Sequence, residues 1–403
     1  MPEYKNNEVD ASSELPSFAS TPDEIRTAVE QNALDRVGLL VKIIVSSQID
    51  ILLDLVDQLA SECDKEEFYE SAEEFDAKVD ALRCLDEAEP PVPYLYYFCT
   101  PSMLMAHPRL VFYYRNVAML SRKVMRGIGL DTDSYEGRGD TPSEHVAREL
   151  ATYFNRIVSR AILERGVTPY RHFMMMMANL GDSLGGMSRN EVGRVAMMRV
   201  IHPLIRYLYA QGWLSSLSYS LKGRIIPDDE GSGATRRARM DIAPETDIDE
   251  LLAHLEAHRV RYHELEMSNG SRLLLNRQLT WQDAEGSAYR IGPDLYSHVG
   301  YVEMLWAGEL KGGADPAGSD EHWKTATQAL DRILQAAKAT GRPNPMLSFI
   351  ATILVERVAR DAQAWIDQGK LTSVYNLTQM YERPDEMARF LNDMTEFLGY
   401  GVQ

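Results

Sequence analysis

The stretch GPDLYSHVGYVEMLWAGELKGG, residues 292–313, predicts the centre of the fold. It contains two apolar segments separated by a short turn (SHVG), and the second segment ends in Glu309, Leu310 and Lys311. Because side chains alternate between the two faces of a strand, Glu309 and Lys311 are expected on one face and Leu310 on the other. A neighbouring strand can bring Asp294 beside them. The stretch therefore predicts a strand pair with two acids and a lysine at one end.

These residue types suit the hydrolysis of a phosphodiester bond. Two carboxylates at short range, here Asp294 and Glu309, form a hard oxygen site for Mg²⁺, which can activate water and neutralise charge on a phosphate. The ammonium group of Lys311 can hold the attacking water and stabilise the charged transition state. Pro293-Asp294 followed by Glu309 and Lys311 is the pattern of the PD-(D/E)xK nucleases. A salt-bridged strand end is the alternative, since an E-x-K triplet alone often occurs by chance.

The remainder of the chain predicts two structural parts and an arm. The chain has 403 residues, 45% of them hydrophobic, which is enough for a large core. Residues 1–20 are polar and predict a flexible N-terminal arm, and residues 21–168 predict a mainly helical domain. Residues 169–403 contain a series of short strands between helices. We expect this last part to be an α/β catalytic domain with a PD-(D/E)xK restriction-endonuclease-like core, a mixed central sheet flanked by helices.

Net charge and cysteine usage limit the classes of function. The formal charge of −18 argues against nucleic-acid binding if it is taken alone, because phosphate contacts need Lys and Arg. Much of the acid lies in two blocks, residues 64–80 and 228–250, so a basic groove elsewhere is compatible with that charge. The chain has no long apolar run and no signal-peptide pattern, and its three cysteines are scattered. We expect a reduced, cytoplasmic protein without a membrane span.

Three further features each allow two interpretations. Arg189 follows two glycines and is expected at a helix start, where it can contact a DNA phosphate or form a salt bridge. The arginines of RRAR, residues 236–239, are either a DNA clamp or a solvated charge run. The aromatic run YLYYF, residues 94–98, is a packed core or dimer surface, or a platform for stacking bases. The commoner explanation for the last two features is the structural one.

His322 falls in the first turn of a helix that Ser319 is expected to cap. A histidine at such a place is usually exposed or a minor element of the cap. A catalytic role requires the GGADPAG turn, residues 312–318, to fold it back toward Lys311. There, the imidazole could take a proton from the attacking water.

The segment GELKGGADPAGSDEHWKTATQALDRI, residues 308–333, resembles the active-site signature of the AvaI and BsoBI family of type II restriction endonucleases. NLGDSLGGMSRNEVGRVA, residues 179–196, is similar to a Gly-Asp-Ser-Leu-Gly-Gly element of that family. Looser similarity covers residues 20–34 and 345–378. The long match through DPAG and EHWKTA is the specific part of the resemblance.

The resemblance implies roles for individual positions. Glu309 and Lys311 match the metal-binding glutamate and the catalytic lysine of the family. Asp315 matches an aspartate that reads a base of the degenerate pair in the recognition site. His322 matches a histidine proposed to help activate water.

Other positions match the family less closely. Asp294 would be the first catalytic carboxylate, but its interval to the glutamate is shorter than the family's, so Asp283 remains a rival. The family also reads a base with an N-terminal lysine, for which Lys123 is the candidate. Lys324, in the matched helix start, is a further candidate for DNA contact.

The resemblance also implies an activity and an assembly. Members of the family are homodimers that enclose double-stranded DNA, and they combine a nuclease core with a helical domain. They use Mg²⁺ to cut C-Py-C-G-Pu-G and leave 5′ overhangs, which implies a bacterial cytoplasmic enzyme here. Extra length near residues 60–130 and 228–250 leaves the recognition site open, because base contacts come partly from outside the catalytic motif. The alternatives are a structure-specific or repair nuclease with the same core and a non-catalytic DNA-binding or interaction protein.

Overall fold

The fold is that of a computed structural model, which describes residues 14–166, 170–220 and 237–401. The chain divides into two compact units. The sheet unit consists of Met1–Asp35 and Arg189–Gln403, and the helical unit of Arg36–Ser188. Among the described residues, no helix has the length and apolar character needed to cross a membrane.

Helices account for the regular structure described between residues 22 and 210, and two of them, α1 and α10, contain the boundaries between the units. In chain order the helices are α1 (Pro22–Ser47), α2 (Ile49–Glu62), α3 (Lys65–Ser71), α4 (Val79–Asp86), α5 (Pro101–Ala106), α6 (Leu110–Val117), α7 (Arg122–Gly127), α8 (Asp133–Arg138), α9 (Glu144–Arg165) and α10 (Arg171–Ala210). Short 3₁₀ turns lie at Ala72–Phe75 and Tyr94–Tyr96.

The core of the helical unit is rich in aromatic side chains. Tyr94, Leu95, Tyr97 and Phe98 of the YLYYF run are buried in it, together with Phe154 of α9. This burial confirms the packed-core interpretation of the run, since side chains that pack inside the unit cannot stack on bases.

The sheet unit combines strands and helices. Its elements are β1 (Leu214–Ser220), β2 (Arg237–Asp241), α11 (Ile248–Ala257), β3 (Arg261–Met267), β4 (Arg272–Leu275), β5 (Leu279–Gln282), β6 (Ala288–Ile291), β7 (Leu295–Val299), β8 (Val302–Lys311), α12 (Ser319–Ala339), β9 (Met346–Ala351), α13 (Glu356–Asp367), β10 (Ser373–Asn376), α14 (Leu377–Glu382) and α15 (Pro384–Phe397). A 3₁₀ turn at Pro316–Gly318 precedes α12.

Eight of these strands form one mixed sheet in the order β10-β9-β8-β7-β4-β3-β1-β2. The pairs β10–β9 and β9–β8 are parallel, and every pair from β8 to β2 is antiparallel. The hairpin of β5 and β6 is a separate two-stranded sheet. This architecture confirms the predicted α/β class with a mixed central sheet.

The two faces of the sheet carry different cores. One core joins α10, α11 and α15 to the sheet, and Leu204, Trp306 and Phe390 are buried in it. The other joins α12, α13 and the β5–β6 hairpin, and Trp323 and Phe349 are buried there. Since helices cover both faces, β8 lies inside the unit and only its ends can reach solvent.

Residues 14–20, the described part of the predicted arm, include a packed segment. Phe18 and Ala19 are buried in the core on the α12 face. The backbone N–H of Ser20 donates to the carbonyl of Leu354 at 2.8 Å. The polar composition of residues 1–20 did not predict this packing. The packing depends on two buried side chains and a few hydrogen bonds.

The start of α12 differs from the prediction. Ser319 is its first residue, not its cap, and the Ser319 hydroxyl donates to the carbonyl of Asp315 at 3.4 Å. The side chain of Asp315 caps the preceding 3₁₀ turn by accepting the N–H of Ala317 at 3.0 Å. The turn runs directly into the helix, and the N-cap of α12 is Gly318, which has no side chain to cap it.

Candidate active site

The site lies at the C-terminal end of β8. Strand β8 pairs with β7 through Gly308 opposite Leu295, and with β9 through Lys311 opposite Ala351. Gly308 is required here, because a Cβ at this position would lie 2.8 Å from the ring of Trp306. Glycine therefore lets the chain pass a large buried ring immediately before the charged residues.

Asp294 is held against this strand end. It precedes β7, and its Oδ2 accepts the backbone N–H of Leu310 at 2.8 Å. Asp283, the rival carboxylate, lies in the β5–β6 hairpin instead. Its two oxygens accept the N–H of Ser287 at 2.7 Å and the hydroxyl of Tyr289 at 3.1 Å. The structure thus brings Asp294 to the ExK segment and engages Asp283 in its own hairpin.

Glu309 is a buried acid with an unusual pKa. It is 4% exposed, and its Oε2 accepts a hydrogen bond from Nζ of Lys311 at 3.2 Å. Burial raises the pKa of Glu309 to about 8, and the charge of Asp294 acts in the same direction, while Lys311 opposes both. At neutral pH, much of Glu309 is protonated.

His322 lies close to the same strand end. Its ring packs against Gly313, where an added Cβ would lie 2.3 Å from Cε1. Burial and the charge of Lys311 lower the pKa of His322, and Asp315 and Glu321 oppose this effect. The imidazole is therefore neutral at pH 7 and can accept a proton. The GGADPAG turn folds the histidine back toward Lys311, which was the condition for a catalytic role.

Asp315 and Lys324 lie near His322 in the chain but are exposed. Asp315 caps the 3₁₀ turn, as described above. Nζ of Lys324 lies 3.9 Å from Oε2 of Glu321, a weak surface pair. Both side chains can reach a large ligand from the surface.

Arg189 and Lys123, the other candidates for DNA contact, both lie on helices. Arg189 lies inside the 40-residue helix α10 and not at a helix start, so the expected N-terminal phosphate site is wrong. The two glycines before it are accommodated within the helix, since glycine lowers helix propensity without preventing helix formation. Lys123 is an exposed residue of α7 in the helical unit.

The RRAR run falls partly outside the described residues, where Arg236 lies. Arg237 and Arg239 are on β2 at the edge of the sheet. Nη2 of Arg239 lies 2.7 Å from Oε2 of Glu266, an ion pair within the sheet unit. This pairing favours the charge-run interpretation over a DNA clamp.

Sequence reasoning missed the residues that shape the loop after Lys311. Gly312 and Gly313 are adjacent in the sequence. Gly312 lets α10 approach the backbone closely, and Gly313 lets the ring of His322 do so. The Gly-Gly pair was a signal for such contacts, because glycine allows another group to approach the backbone. Thr352, which follows β9 and binds this loop, had no signal in the sequence.

The donor set fits Mg²⁺ on chemical grounds. Among the described residues, no group of three or more His, Cys, Asp or Glu side chains could hold a metal. Mg²⁺ usually keeps several waters and takes one or two carboxylates plus phosphate oxygens, so a pair of acids is sufficient. Burial, with the charge of Asp294, raises the pKa of Glu309, and a divalent ion bound to both carboxylates would favour their ionised forms.

Comparison with known families identifies the class of protein that this site resembles. A family model described as restriction endonuclease BsobI matches residues 295–391. The matched segment begins one residue after Asp294 and includes Glu309, Lys311 and His322. It covers most of the site and the elements from β7 to α15.

Individual relatives extend the similarity. The type II restriction enzyme BsoBI of Geobacillus stearothermophilus is 28% identical over 205 residues, which are 49% of this chain and 58% of the relative. The type II restriction enzyme AvaI of Nostoc sp. is 30% identical over 214 residues, 52% of this chain and 60% of the relative. The chain therefore matches less than two thirds of each relative's length. These matches confirm the resemblance to the AvaI and BsoBI family.

Proposed function

We propose that the protein is a type II restriction endonuclease that uses Mg²⁺ to hydrolyse phosphodiester bonds at a palindromic site in double-stranded DNA. The observation that carries the proposal is the meeting of Asp294, Glu309, Lys311 and His322 at one strand end. This site lies in a segment similar to restriction enzymes. The sheet unit is accordingly a PD-(D/E)xK core, with Asp294 as its first carboxylate.

Asp294 and Glu309 would hold the metal ion. Mg²⁺ bound there would supply positive charge to the phosphate and lower the pKa of a water molecule. The backbone N–H of Leu310 holds Asp294 in place. Glu309 must lose its proton before it can act as a ligand, so metal binding and deprotonation are coupled.

Lys311 and His322 perform the remaining steps. The ammonium group of Lys311 can orient the attacking water and stabilise the negative charge that develops on the phosphate oxygens. The neutral His322 ring can take the proton that this water loses. Lowering of its pKa keeps His322 in the accepting form at neutral pH.

DNA recognition rests on exposed polar residues and on symmetry. Asp315 and Lys123 are the candidates for base reading, while Lys324 is a candidate for a contact to the DNA. A palindromic site implies a homodimer, because two-fold symmetry of the DNA matches that of the protein. We expect a C-Py-C-G-Pu-G or related GC-rich site cut to 5′ overhangs. We also expect a bacterial cytoplasmic enzyme whose helical part aids DNA enclosure and dimerisation.

The decisive test is digestion of phage and plasmid DNA with the purified protein and Mg²⁺, followed by sequencing of the fragment ends. Discrete fragments are expected from the wild type, and the ends give the site and the overhang. Glu309→Ala and Lys311→Ala should abolish cleavage but retain site-specific binding in Ca²⁺. Asp283→Ala is the matched control, and it should cut normally because its carboxylate lies in the hairpin.

Other outcomes would contradict the proposal in distinct ways. A smear of fragments that disappears in Glu309→Ala would indicate a structure-specific or nonspecific nuclease. Loss of cleavage in Asp283→Ala, with Asp294→Ala active, would reverse the assignment of the first carboxylate. A folded wild-type protein that binds DNA but cuts in neither Mg²⁺ nor Mn²⁺ would indicate a non-catalytic binding protein.

A further inference from the structure

Thr352, the residue after β9, makes an unusual set of contacts with the loop that follows Lys311. Its backbone N–H donates to the carbonyl of Lys311 at 3.0 Å. Its hydroxyl donates to the carbonyl of Gly312 at 2.9 Å. Thr352 is 5% exposed, so solvent offers little competition for these bonds. One residue thus fixes two consecutive carbonyls at the end of the catalytic strand.

Helix α10 confines the same loop through a separate contact. A Cβ on Gly312 would lie 2.7 Å from the carbonyl oxygen of Val192 and 2.7 Å from Cβ of Ala196. Gly312 is therefore in tight contact with α10 while its carbonyl is bound to Thr352. The backbone next to Lys311 has little room to move.

Thr352 is itself anchored. Its carbonyl accepts the hydroxyl of Thr378 at 2.7 Å, and the N–H of Thr378 donates to Oδ1 of Asn376 at 3.1 Å. Thr378 and Asn376 are buried. A short chain of hydrogen bonds therefore connects the loop to the buried junction between β10 and α14.

We propose that Thr352 is a positioning residue for the cleavage reaction, which acts by fixing the backbone from which Lys311 projects. This role rests on the proposed nuclease function. The position of Lys311 matters because displacing a catalytic group by about 1 Å can slow the reaction by about 10²-fold. Without the hydroxyl, the half-buried carbonyl of Gly312 would lose this donor, and the loop would relax.

The test compares Thr352→Ser with Thr352→Ala, two variants that both lack the methyl group and differ only in the hydroxyl. The duplex that carries the site found by digestion, in slight excess over full-length protein and above the dissociation constant, is bound first without Mg²⁺, and Mg²⁺ then starts the first turnover. We expect the alanine variant to cut about 10- to 100-fold more slowly, as for other residues that support a catalytic group. The serine variant should stay close to the wild type. The dissociation constant for the duplex in Ca²⁺ should change by less than about twofold in both, because no DNA contact is removed.

Amplitude and rate constant separate positioning from stability. A variant that merely unfolds loses reaction amplitude in proportion to its unfolded fraction, but its folded molecules keep the normal rate constant. A positioning defect lowers the rate constant at full amplitude. Thr340→Ala is the matched control, since its hydroxyl also donates to a backbone carbonyl, that of Ala336 at 2.7 Å, at the far end of α12. It should leave the rate constant unchanged.

Each result bears on the role of Thr352. Equal rate constants for Thr352→Ser and Thr352→Ala would overturn the positioning role. A Thr352→Ala variant that loses only reaction amplitude would also overturn it. If the alanine variant does not fold, Thr352→Val keeps the side-chain shape without the hydroxyl and should show the same slow rate. An inactive wild type would instead overturn the proposed function, and the role of Thr352 with it.

Discussion

Two buried glutamates, one in each unit, lie beside basic side chains and respond in opposite ways. In the helical unit, Glu136 accepts hydrogen bonds from Arg115 at 2.5 and 3.0 Å and from Arg122 at 2.9 Å. Burial alone raises the pKa of Glu136, but the hydrogen bonds and charges of these arginines outweigh it, and the pKa is lowered. In the sheet unit, burial and Asp294 raise the pKa of Glu309 to about 8 despite Lys311.

The difference lies in how well the protein balances the charge of each acid. Glu136 has both oxygens bound by arginines, so its charge is satisfied within the protein. Glu309 has one lysine and a competing carboxylate, so its charge is poorly balanced by these neighbours. Perturbed acids of the second kind concentrate at active sites, where a ligand completes the charge balance.

The largest expected effect is on cleavage by Glu309→Gln. The amide cannot replace the carboxylate as a metal ligand, and we expect cleavage to fall by about 10³-fold or more. Stability should change by less than about 1 kcal/mol at pH 7, because glutamine resembles the protonated acid. Single-turnover cleavage and thermal unfolding measure the two quantities.

Glu303→Gln is the control for that substitution. Glu303 is on the same strand and contacts Nε1 of Trp281 and Arg342, away from the ExK segment. It should keep nearly full activity. Equal loss of cleavage in both variants would mean that Glu309 acts through the stability of the strand.

The same substitution at Glu136 should have the reverse outcome. Removing one partner of a buried ion pair leaves Arg115 buried without a full counter-charge, which typically costs about 3–5 kcal/mol. We expect faster hydrogen exchange in Leu110–Val117, the helix that carries Arg115, while folded molecules still cut DNA. Unchanged exchange there would show that the ion pair contributes little stability.

Opposite pH dependences are expected for the two units. Glu136 has a lowered pKa, so its stabilisation is present above its ordinary pKa of 4.5 and is lost as the pH falls through its folded value. Glu309 has a raised pKa, so stability declines as the pH rises from 4.5 to about 8, where the folded state binds more protons than the unfolded state. Hydrogen exchange measured in EDTA should show that the helical unit loses stability at low pH and that the sheet unit loses stability at high pH.

Glu309→Gln sharpens this pH prediction. In this variant, the stability of the sheet unit should decline less between pH 5 and pH 8, because glutamine does not titrate. The helical unit should keep its acid sensitivity in the same samples. A decline that persists unchanged in the variant would assign it to another group.

The fold and the candidate site could be predicted from the sequence only in part. Strand alternation and the PD and ExK elements identified Asp294, Glu309 and Lys311, because the pattern of period two is local. The choice between Asp294 and Asp283 needed the strand register, which places Leu295 opposite Gly308. The continuous course of α10 through Arg189 and the docking of Phe18 depend on long-range packing that no local pattern reports. Thr352 is 41 residues from Lys311 in the chain, and only the parallel pairing of β8 and β9 makes them neighbours.

The smallest expected effect tests whether Asp315 belongs with the structural or the functional acids. Its Oδ1 caps a turn, as a structural acid does, but its side chain is exposed beside the site. Asp315→Asn keeps the cap, because asparagine is equally good at that position, and changes the free oxygen from an acceptor to a donor. We expect the ratio of cleavage rates among the degenerate site variants to change by about tenfold, near the lower limit for a base contact. A uniform rate across all variants, equal to that of the wild type, would assign Asp315 to the turn alone.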